Sequence, residues 1–497
     1  MRLNLAGSVY IKSSNFQILT LPLPKTTRSM KEELLHYVWR LKRFDLSHLQ
    51  TTDGQPVDIL KSGELNRDGG PDFLHAQLRI GSTFWAGNVE MHLRSSDWLQ
   101  HQHSGDPAYD NVILHVVLEE DVPIFRKSGE RIPCLELRRR IYPEVFKTYH
   151  RMLHNEHWIA CQHQFHEVEK IVKRLWLDRL MVERLEKRSV RIAECLKANR
   201  KDWEQTFYQT LAWNFGVKVN ADAFEQLARA MPLKILAKHR DNLFQLEALL
   251  FGQAGMLEPD FQDEYPQKLQ KEYRFLKQKY KLDPINPDQW KFLRMRPANF
   301  PTIRIAQLAM LIHQSSHLFS KVLAADNLKE IENMFELKIS SYWQTHYLFD
   351  RESSPKRKSL GSSTIHSFVL NTIAPFLFLF GKERDELRFR EKALTLLEET
   401  PAEENAIIHQ WTELGLKAES ALDSQALLQL KNNYCDKKRC LECAVGCAIL
   451  KRAEEADPTQ SEEPWIVYSS GRCRRRSAAR SRDSMVPTSS QLEESWL

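Results

Sequence analysis

The sequence predicts an α+β protein: a small α/β domain over residues 30–150, followed by a large all-helical domain over 151–434. Three observations carry this. Phe73 to Ile80 and Phe84 to Leu93 alternate apolar and polar residues, the mark of half-buried strands, and Asn111 to Leu118 is almost continuously apolar, as a strand covered on both faces is. From about Tyr142 the apolar residues recur at helical spacing for roughly three hundred residues with almost no strand signal. A third region, 435–450, carries four closely spaced cysteines.

The bulk properties fit a soluble globular class. Of 497 residues, 42% are hydrophobic and 27% charged, and the length allows about three domains. The formal charge of +6 permits a polyanionic partner without requiring one. No run is long and uncharged enough for a membrane helix; the longest, Ile373 to Phe380, is interrupted by Pro375 and reads as a buried helix. Eight cysteines, four of them clustered, point to a cytoplasmic protein with a metal-binding segment rather than a disulfide framework.

Taken in order, residues 1–29 lack periodicity and read as an extension before a start at Met30. Lys31 to Phe44 places Leu34, Leu35, Val38 and Leu41 on one helical face, with acids early and bases late, as the helix dipole favours. Val57 to Leu60 is a short strand. Gly69-Gly70-Pro71 is a sharp turn, because glycine supplies positive φ and proline has its own φ locked. It launches the strand at Phe73. Gly81-Ser82 returns the chain into Phe84 to Leu93, and Arg131 to Leu137 adds a further strand after Asn111 to Leu118. Helices are expected over Val168–Leu196, Trp203–Phe215, Ala221–Met231, Arg240–Gly252, Lys268–Lys281, Thr302–Asp326, Leu328–Glu336, Ser363–Leu379, Asp385–Glu399, Glu404–Leu414 and Ser424–Tyr434. Residues 451–497 are polar, end in an Arg- and Ser-rich stretch, and read as a disordered basic tail.

The chemistry concentrates between Gly63 and Val117. Asp72 opens one strand directly after the turn, and Glu90 and His92 lie two apart on the next, so they share a face. Two carboxylates converging from adjacent strands form a site for Mg²⁺ or Mn²⁺, which would polarise a phosphodiester and activate water for in-line attack. Asp97, His101, His103, Asp106, Asp110 and His115 crowd the next stretch. His101 and His103, on one face if extended, offer instead a transition-metal site of His and Asp ligands.

Pro71-Asp72 together with Glu90-x-His92 resembles the PD-(D/E)xK nuclease core, with histidine where that family usually has lysine. The resemblance implies a restriction-endonuclease-like fold for the N-terminal domain, catalytic roles for Asp72, Glu90 and His92, and an auxiliary acid at Glu33 or Glu64. The wider run from LLHYVWR through GELNRDGGPDF, WAGNVEMHLRSSDW and HQHSGDPAYDNVILHVV to YCDKKRCLECAVG resembles a bacterial family catalogued as domain of unknown function 2851, over about residues 30–450. That family implies no activity.

Cys435-x4-Cys440-x2-Cys443-x3-Cys447 contains a Cys-x2-Cys knuckle, the spacing with which two thiolates grip one tetrahedral metal. Zn²⁺ is the first expectation; the Cys-x4-Cys-x2-Cys run also resembles the ligand spacing of plant-type iron–sulfur ferredoxins. The family pattern implies that the first three cysteines are the regular ones, leaving Cys447, Cys134 or Cys161 as the fourth ligand.

Two basic loops are candidate nucleic-acid contacts. Arg294 and Arg296 precede a helix capped by Thr302 and carrying Arg304, a phosphate-sized anion site next to Phe300, and Lys356, Arg357 and Lys358 form a second clamp. The functional expectation is a metal-dependent nuclease-like protein acting on nucleic acid. The alternatives are a non-catalytic nucleic-acid-binding scaffold with a degenerate nuclease core, and a His/Asp metalloenzyme acting on a small molecule.

Overall fold

The structure is a computed structural model that describes residues 31–455. Those residues form two compact units, 31–151 with 450–455, and 152–449.

The first unit is built on a mixed sheet. Helix α1 (Glu32–Arg40) buries Leu34, Leu35, Tyr37, Val38 and Trp39, each large side chain contributing about 1.5–3 kcal/mol of apolar transfer. The Trp39 indole N–H donates to the Ser62 carbonyl at 2.9 Å, which fixes α1 beside that loop. The strands are β1 (Val57–Lys61), β2 (Glu64–Leu65), β3 (Phe73–Ile80), β4 (Thr83–Arg94), β5 (Val112–Glu119) and β6 (Cys134–Glu136). Their order is β1-β3-β4-β5-β6, with β2 also paired to β3. The pairings of β1, β3 and β4 are antiparallel, while β4, β5 and β6 run parallel. Helix α1 packs against β4.

The β4–β5 pairing is close at its start. A Cβ at Gly87 would sit 2.5 Å from the Ile113 side chain and 2.7 Å from the Asn111 carbonyl, so only glycine lets the strands meet there. The crossover from β4 to β5 is short. It holds helix α2 (Asp97–Gln100) and two 3₁₀ turns, His103–Gly105 and Pro107–Tyr109. Every residue of β5 from Val112 to Leu118 is buried, as its unbroken apolar run requires.

The second unit is helical. Its longest member, α3 (Lys170–Ala198), buries Trp176, Leu177, Leu180, Met181 and Leu185 along one side. Most helices lie within a turn or so of their expected bounds, with three informative differences. Thr302–Asp326 is two helices, Pro301–Gln314 and Leu318–Ala324, because His317 takes φ 50° and breaks the hydrogen-bond ladder. Ser362–Arg384 runs past Pro375 by means of a wide π turn at Val369–Ile373, a local re-spacing of the ladder next to the residue that cannot donate. It is long and apolar enough to cross a membrane, yet 72% of its most apolar window is buried inside the protein. A small hairpin, His346–Leu348 with Arg351–Glu352, also forms where no strand was expected.

The cysteine segment is not separate: residues 435–449 fold with the second unit. Nor does order stop at 450, since helix α4 (Ala444–Glu455) carries the chain to the last described residue. The expectations for 1–29 and for 456–497 lie outside the described residues.

Candidate metal centre

The turn before β3 is pinned by Asn66. Its side-chain amide donates to the carbonyls of Gly69 (3.2 Å) and Pro71 (3.0 Å), and its Oδ1 accepts from the Asp68 N–H. Asn66 N–H donates to the Asp72 carbonyl at 2.7 Å. Asp72 therefore enters β3 in one orientation. With Phe73 opposite Val89, Asp72 stands opposite Glu90. Two contacts tie the strands here: Asp72 N–H donates to Glu90 Oε2 at 3.1 Å, and Met91 N–H, next to Glu90, donates to Asp72 Oδ2 at 3.0 Å.

Glu90, His92 and His115 share a face, because Glu90 pairs with His115 across the parallel β4–β5 ladder and His92 lies two residues on. The short crossover brings two more imidazoles over that face. His103 Nε2 lies 3.3 Å from Glu90 Oε1, and His92 Nε2 lies 3.6 Å from the same oxygen. His92 Nε2 is also 3.1 Å from His101 Nδ1, and His92 Nδ1 is 2.9 Å from His115 Nε2. The ligand atoms of His92, His101 and His103 all lie within 4.8 Å of one another. The extended geometry expected for His101 and His103 is not how they meet: Gln102 adopts φ 61° between a helix end and a 3₁₀ turn, and both rings come against His92.

Burial dominates the electrostatics. It raises the Glu90 carboxyl well above the usual carboxylate range, and the neighbouring Asp72 raises it further. Burial, then His115, His101 and His103, lower His92 to about 3; burial and His103 lower His115 to about 3. Both imidazoles are neutral, the form that binds metals. Tyr109, stacked on His103 at 3.8 Å, is pushed up to about 12 by burial, with Glu90 and Asp72 adding to it. Trp98 forms the wall, its ring 5.4 Å from that of His103 and 5.3 Å from that of His115.

These residues fit a divalent cation. The buried Glu90 carboxyl, the half-buried Asp72 carboxylate and neutral imidazoles converge. His115 Nδ1 is buried without a hydrogen-bond partner, and the buried Nε2 atoms of His36 and His103 approach carboxylates without completing a hydrogen bond. A bound cation would satisfy such a concentration of acceptor nitrogen and oxygen.

The acid that α1 contributes is Glu32. It is half-buried and raised first by burial and then by Asp72, whereas Glu33 is exposed. Glu64 is also exposed, on β2, and pairs with Lys61 at 2.8 Å, so it does not join the cluster. A residue missed in the sequence is His36, one turn on from Glu32, with Nε2 3.2 Å from Asp72 Oδ2. Its signal was there: positions i and i+4 share a helix face.

In the second unit, Arg294, Arg296, Lys356 and Arg357 are exposed, but Lys358 is buried and its ammonium donates to the Trp343 and His346 carbonyls, so it does not join a surface clamp. Arg304 is buried too. It is only 4% exposed, because Pro301–Gln314 is surrounded by the unit's core, and its guanidinium donates to Asn299, Gln307 and Thr364. Thr302 does not cap that helix; its hydroxyl donates to the Tyr347 carbonyl at 2.5 Å. Phe300 packs edge-on against Phe292. Of the cysteines, Cys161, Cys435, Cys440 and Cys443 have thiols raised by burial, the Cys447 thiol donates to the Leu441 carbonyl, and Cys134 lies on β6 of the first unit.

One family model matches residues 32–406, which takes in the whole cluster from Glu32 to His115 and stops short of the Cys435–Cys447 segment. No curated protein and no solved structure matches the chain. A match over that much of the sequence shows the family, and the chain belongs to the DUF2851 proteins, a family of unknown function.

Proposed function

We propose that the first unit is a divalent-metal-dependent hydrolase, and that it cleaves phosphodiester bonds in nucleic acid. The observation that carries this is the pairing of Asp72 and Glu90 on adjacent strands, with Glu32 beside them and His92 two residues beyond Glu90. This is the acid, acid-x-base arrangement expected of a nuclease core, with the helix acid at Glu32 instead of Glu33 or Glu64. Asp72 and Glu90, with imidazole nitrogens of His92 and His103, would hold the ion. When bound it would supply Lewis acidity at the phosphate and a lowered pKa for water. Of the two ions expected, Mn²⁺ suits this mixed nitrogen and oxygen set better than Mg²⁺, which favours oxygen alone.

The remaining groups have distinct tasks. The His92 Nδ1–His115 Nε2 contact orients His92, whose Nε2 would be the atom to hold the ion. Tyr109, held neutral, offers an O–H to a phosphate oxygen, a contact that the neutral His92 does not supply in place of the nuclease lysine. His101, exposed at the rim, is placed to meet substrate.

The test is cleavage of labelled single- and double-stranded DNA and RNA by the full chain with Mn²⁺, Mg²⁺ or chelator, beside Asp72→Ala and Glu90→Ala. Mn²⁺-dependent cleavage, reduced at least about 100-fold in both variants, is expected. Absence of cleavage on every substrate overturns the nuclease reading.

The three-histidine grouping supports a second reading, a transition-metal enzyme acting on a small molecule. A metal that co-purifies with the protein and is lost in a His101→Ala/His103→Ala variant, without nuclease activity in the parent, favours it.

A further inference from the structure

We propose that a cavity in the second unit binds a small molecule by its phosphate monoester group. The cavity is about 270 Å³ in volume and is lined by α3, by the helix Trp203–Phe215 and by the π turn Val369–Ile373. Its residues all belong to the second unit, so it is separate from the cluster described above.

Helical spacing builds the lining. Arg188, Arg191 and Cys195 follow one another three or four residues apart on α3, and Gln209 and Trp213 stand four apart on the other helix, so each set shares a face. The π turn supplies Asn371, and such a re-spaced ladder recurs at functional sites.

Charge sets the class of ligand. The lining holds three cations, Lys187, Arg188 and Arg191, against one carboxylate, Glu225, an excess of two positive charges. That carboxylate is already committed. Arg191 and Arg229 both pair with it, Arg229 at 2.7 Å, and the Arg191 guanidinium lies 4.1 Å over the Trp213 ring. Arg188 stands apart from this pairing. Its Nη1 donates to the Leu370 carbonyl at 2.6 Å, and it has no salt-bridge partner among the described residues. Burial, and then Arg184, bring its guanidinium down to about 9, with Glu403 opposing them from beyond ion-pair distance. A cation so placed costs free energy until an anion reaches it. Lys187 meets only a neutral group among the described residues, Asn433 Oδ1 at 3.4 Å. An excess of two charges matches a phosphate monoester, which carries about −1.5 to −2 at pH 7, better than a single carboxylate.

A neutral donor adds to the cations. The Trp213 indole N–H is buried without a hydrogen-bond partner, and a phosphate oxygen would satisfy it. Size limits the rest of the ligand. At about 270 Å³ the cavity falls just below the range of about 300–1,000 Å³ typical of drug-sized ligands. It suits a small phosphorylated molecule rather than a length of polynucleotide.

The experiment uses the full chain freed of metal ions by chelation and dialysis, so that no ion in the first unit recruits phosphate. Calorimetric titrations compare glycerol 3-phosphate and ribose 5-phosphate with glycerate, a carboxylate of similar size and single charge. The two phosphates should bind saturably, one per chain, and more tightly than glycerate. Lys187→Gln, a change at an exposed side chain, and Arg188→Gln should each weaken them about 10–100-fold, the worth of a hydrogen bond to a charged group. Absence of saturable binding by both phosphates overturns the proposal, as do unaltered affinities in the two variants or tighter binding of glycerate. Because Arg188→Gln also removes the contact to Leu370 and risks misfolding, the unmutated chain gives a second readout. Cys195 is a free thiol in the same lining, and its alkylation is followed by mass spectrometry. Saturating ribose 5-phosphate should slow alkylation of Cys195 and leave the other cysteines unaffected; a Cys195 indifferent to the sugar phosphate overturns the assignment.

Discussion

At the scale of single residues, the proposed metal site of the first unit would depend on side chains standing behind its ligands. His115 is 1% exposed, and its Nε2 fixes the ring of His92 from behind. Removing such a supporting partner typically lowers metal affinity about 10–100-fold. His115→Ala should therefore weaken Mn²⁺ binding by that factor in a calorimetric titration while Asp72 and Glu90 remain in place; unchanged affinity would sink the orienting role. A paired comparison separates the two acids of α1. Glu32→Gln should lower metal-dependent cleavage by at least about 10-fold, whereas Glu33→Gln, on the exposed side, should leave it unaltered. Equal effects from both would show that the helix acid acts through general charge and not through position.

At the scale of elements, close approaches between helices and strands decide what substitutions the fold accepts. Gly252 lies in the helix Leu243–Gln253, where a Cβ would fall 2.1 Å from the ring of Tyr273 on the helix Glu264–Tyr280. Helix propensity favours alanine there by about 1 kcal/mol. The clash opposes it, and forcing a buried ring to move costs typically about 1–3 kcal/mol. Sterics should win: Gly252→Ala is expected to lower the unfolding free energy measured in urea, and a stabilised variant would contradict the close packing. Elements were also what the sequence revealed best. The period-two pattern of Phe73–Ile80 placed Asp72 at a strand start and set Glu90 and His92 on one face, because alternation in a half-buried strand leaves little freedom of register. The long amphipathic helices were legible for the same reason. What escaped was set by non-periodic backbone or by distance along the chain. Gln102 and His317 adopt left-handed conformations that no residue type demanded, so the path of the histidines and the break after Gln314 were hidden. Cys161 sits far from the Cys435–Cys447 run in sequence, and spacing alone does not choose between it, Cys134 and Cys447. Arg304 looked like a surface cation because arginine usually is one; only the packing around its helix shows otherwise.

At the scale of the whole molecule, one buried acid sets a pH dependence of stability. Glu247, 1% exposed in the second unit, accepts from the Tyr265 hydroxyl at 2.5 Å and from the Ser340 hydroxyl at 2.9 Å. Burial raises its carboxyl from 4.5 to about 7, against the pull of those two donors. The proton balance fixes the sign. Below about pH 4.5 the group holds its proton in both folded and unfolded chains and contributes no penalty. As pH rises from there to about 7, the unfolded chain releases the proton while the folded chain retains it, so folding loses stability. Above pH 7 both are ionised, and the loss levels off at about 3 kcal/mol, since each pKa unit is worth about 1.4 kcal/mol. Glutamine reproduces the protonated form at every pH and can still accept from Tyr265. Urea unfolding at pH 5 and pH 8 should therefore show the wild-type chain losing about 2.5 kcal/mol more than Glu247→Gln between the two conditions, with the variant the more stable at pH 8. The comparison cancels every other titrating group, so parallel pH profiles for the two proteins would mean that Glu247 ionises as readily in the fold as outside it.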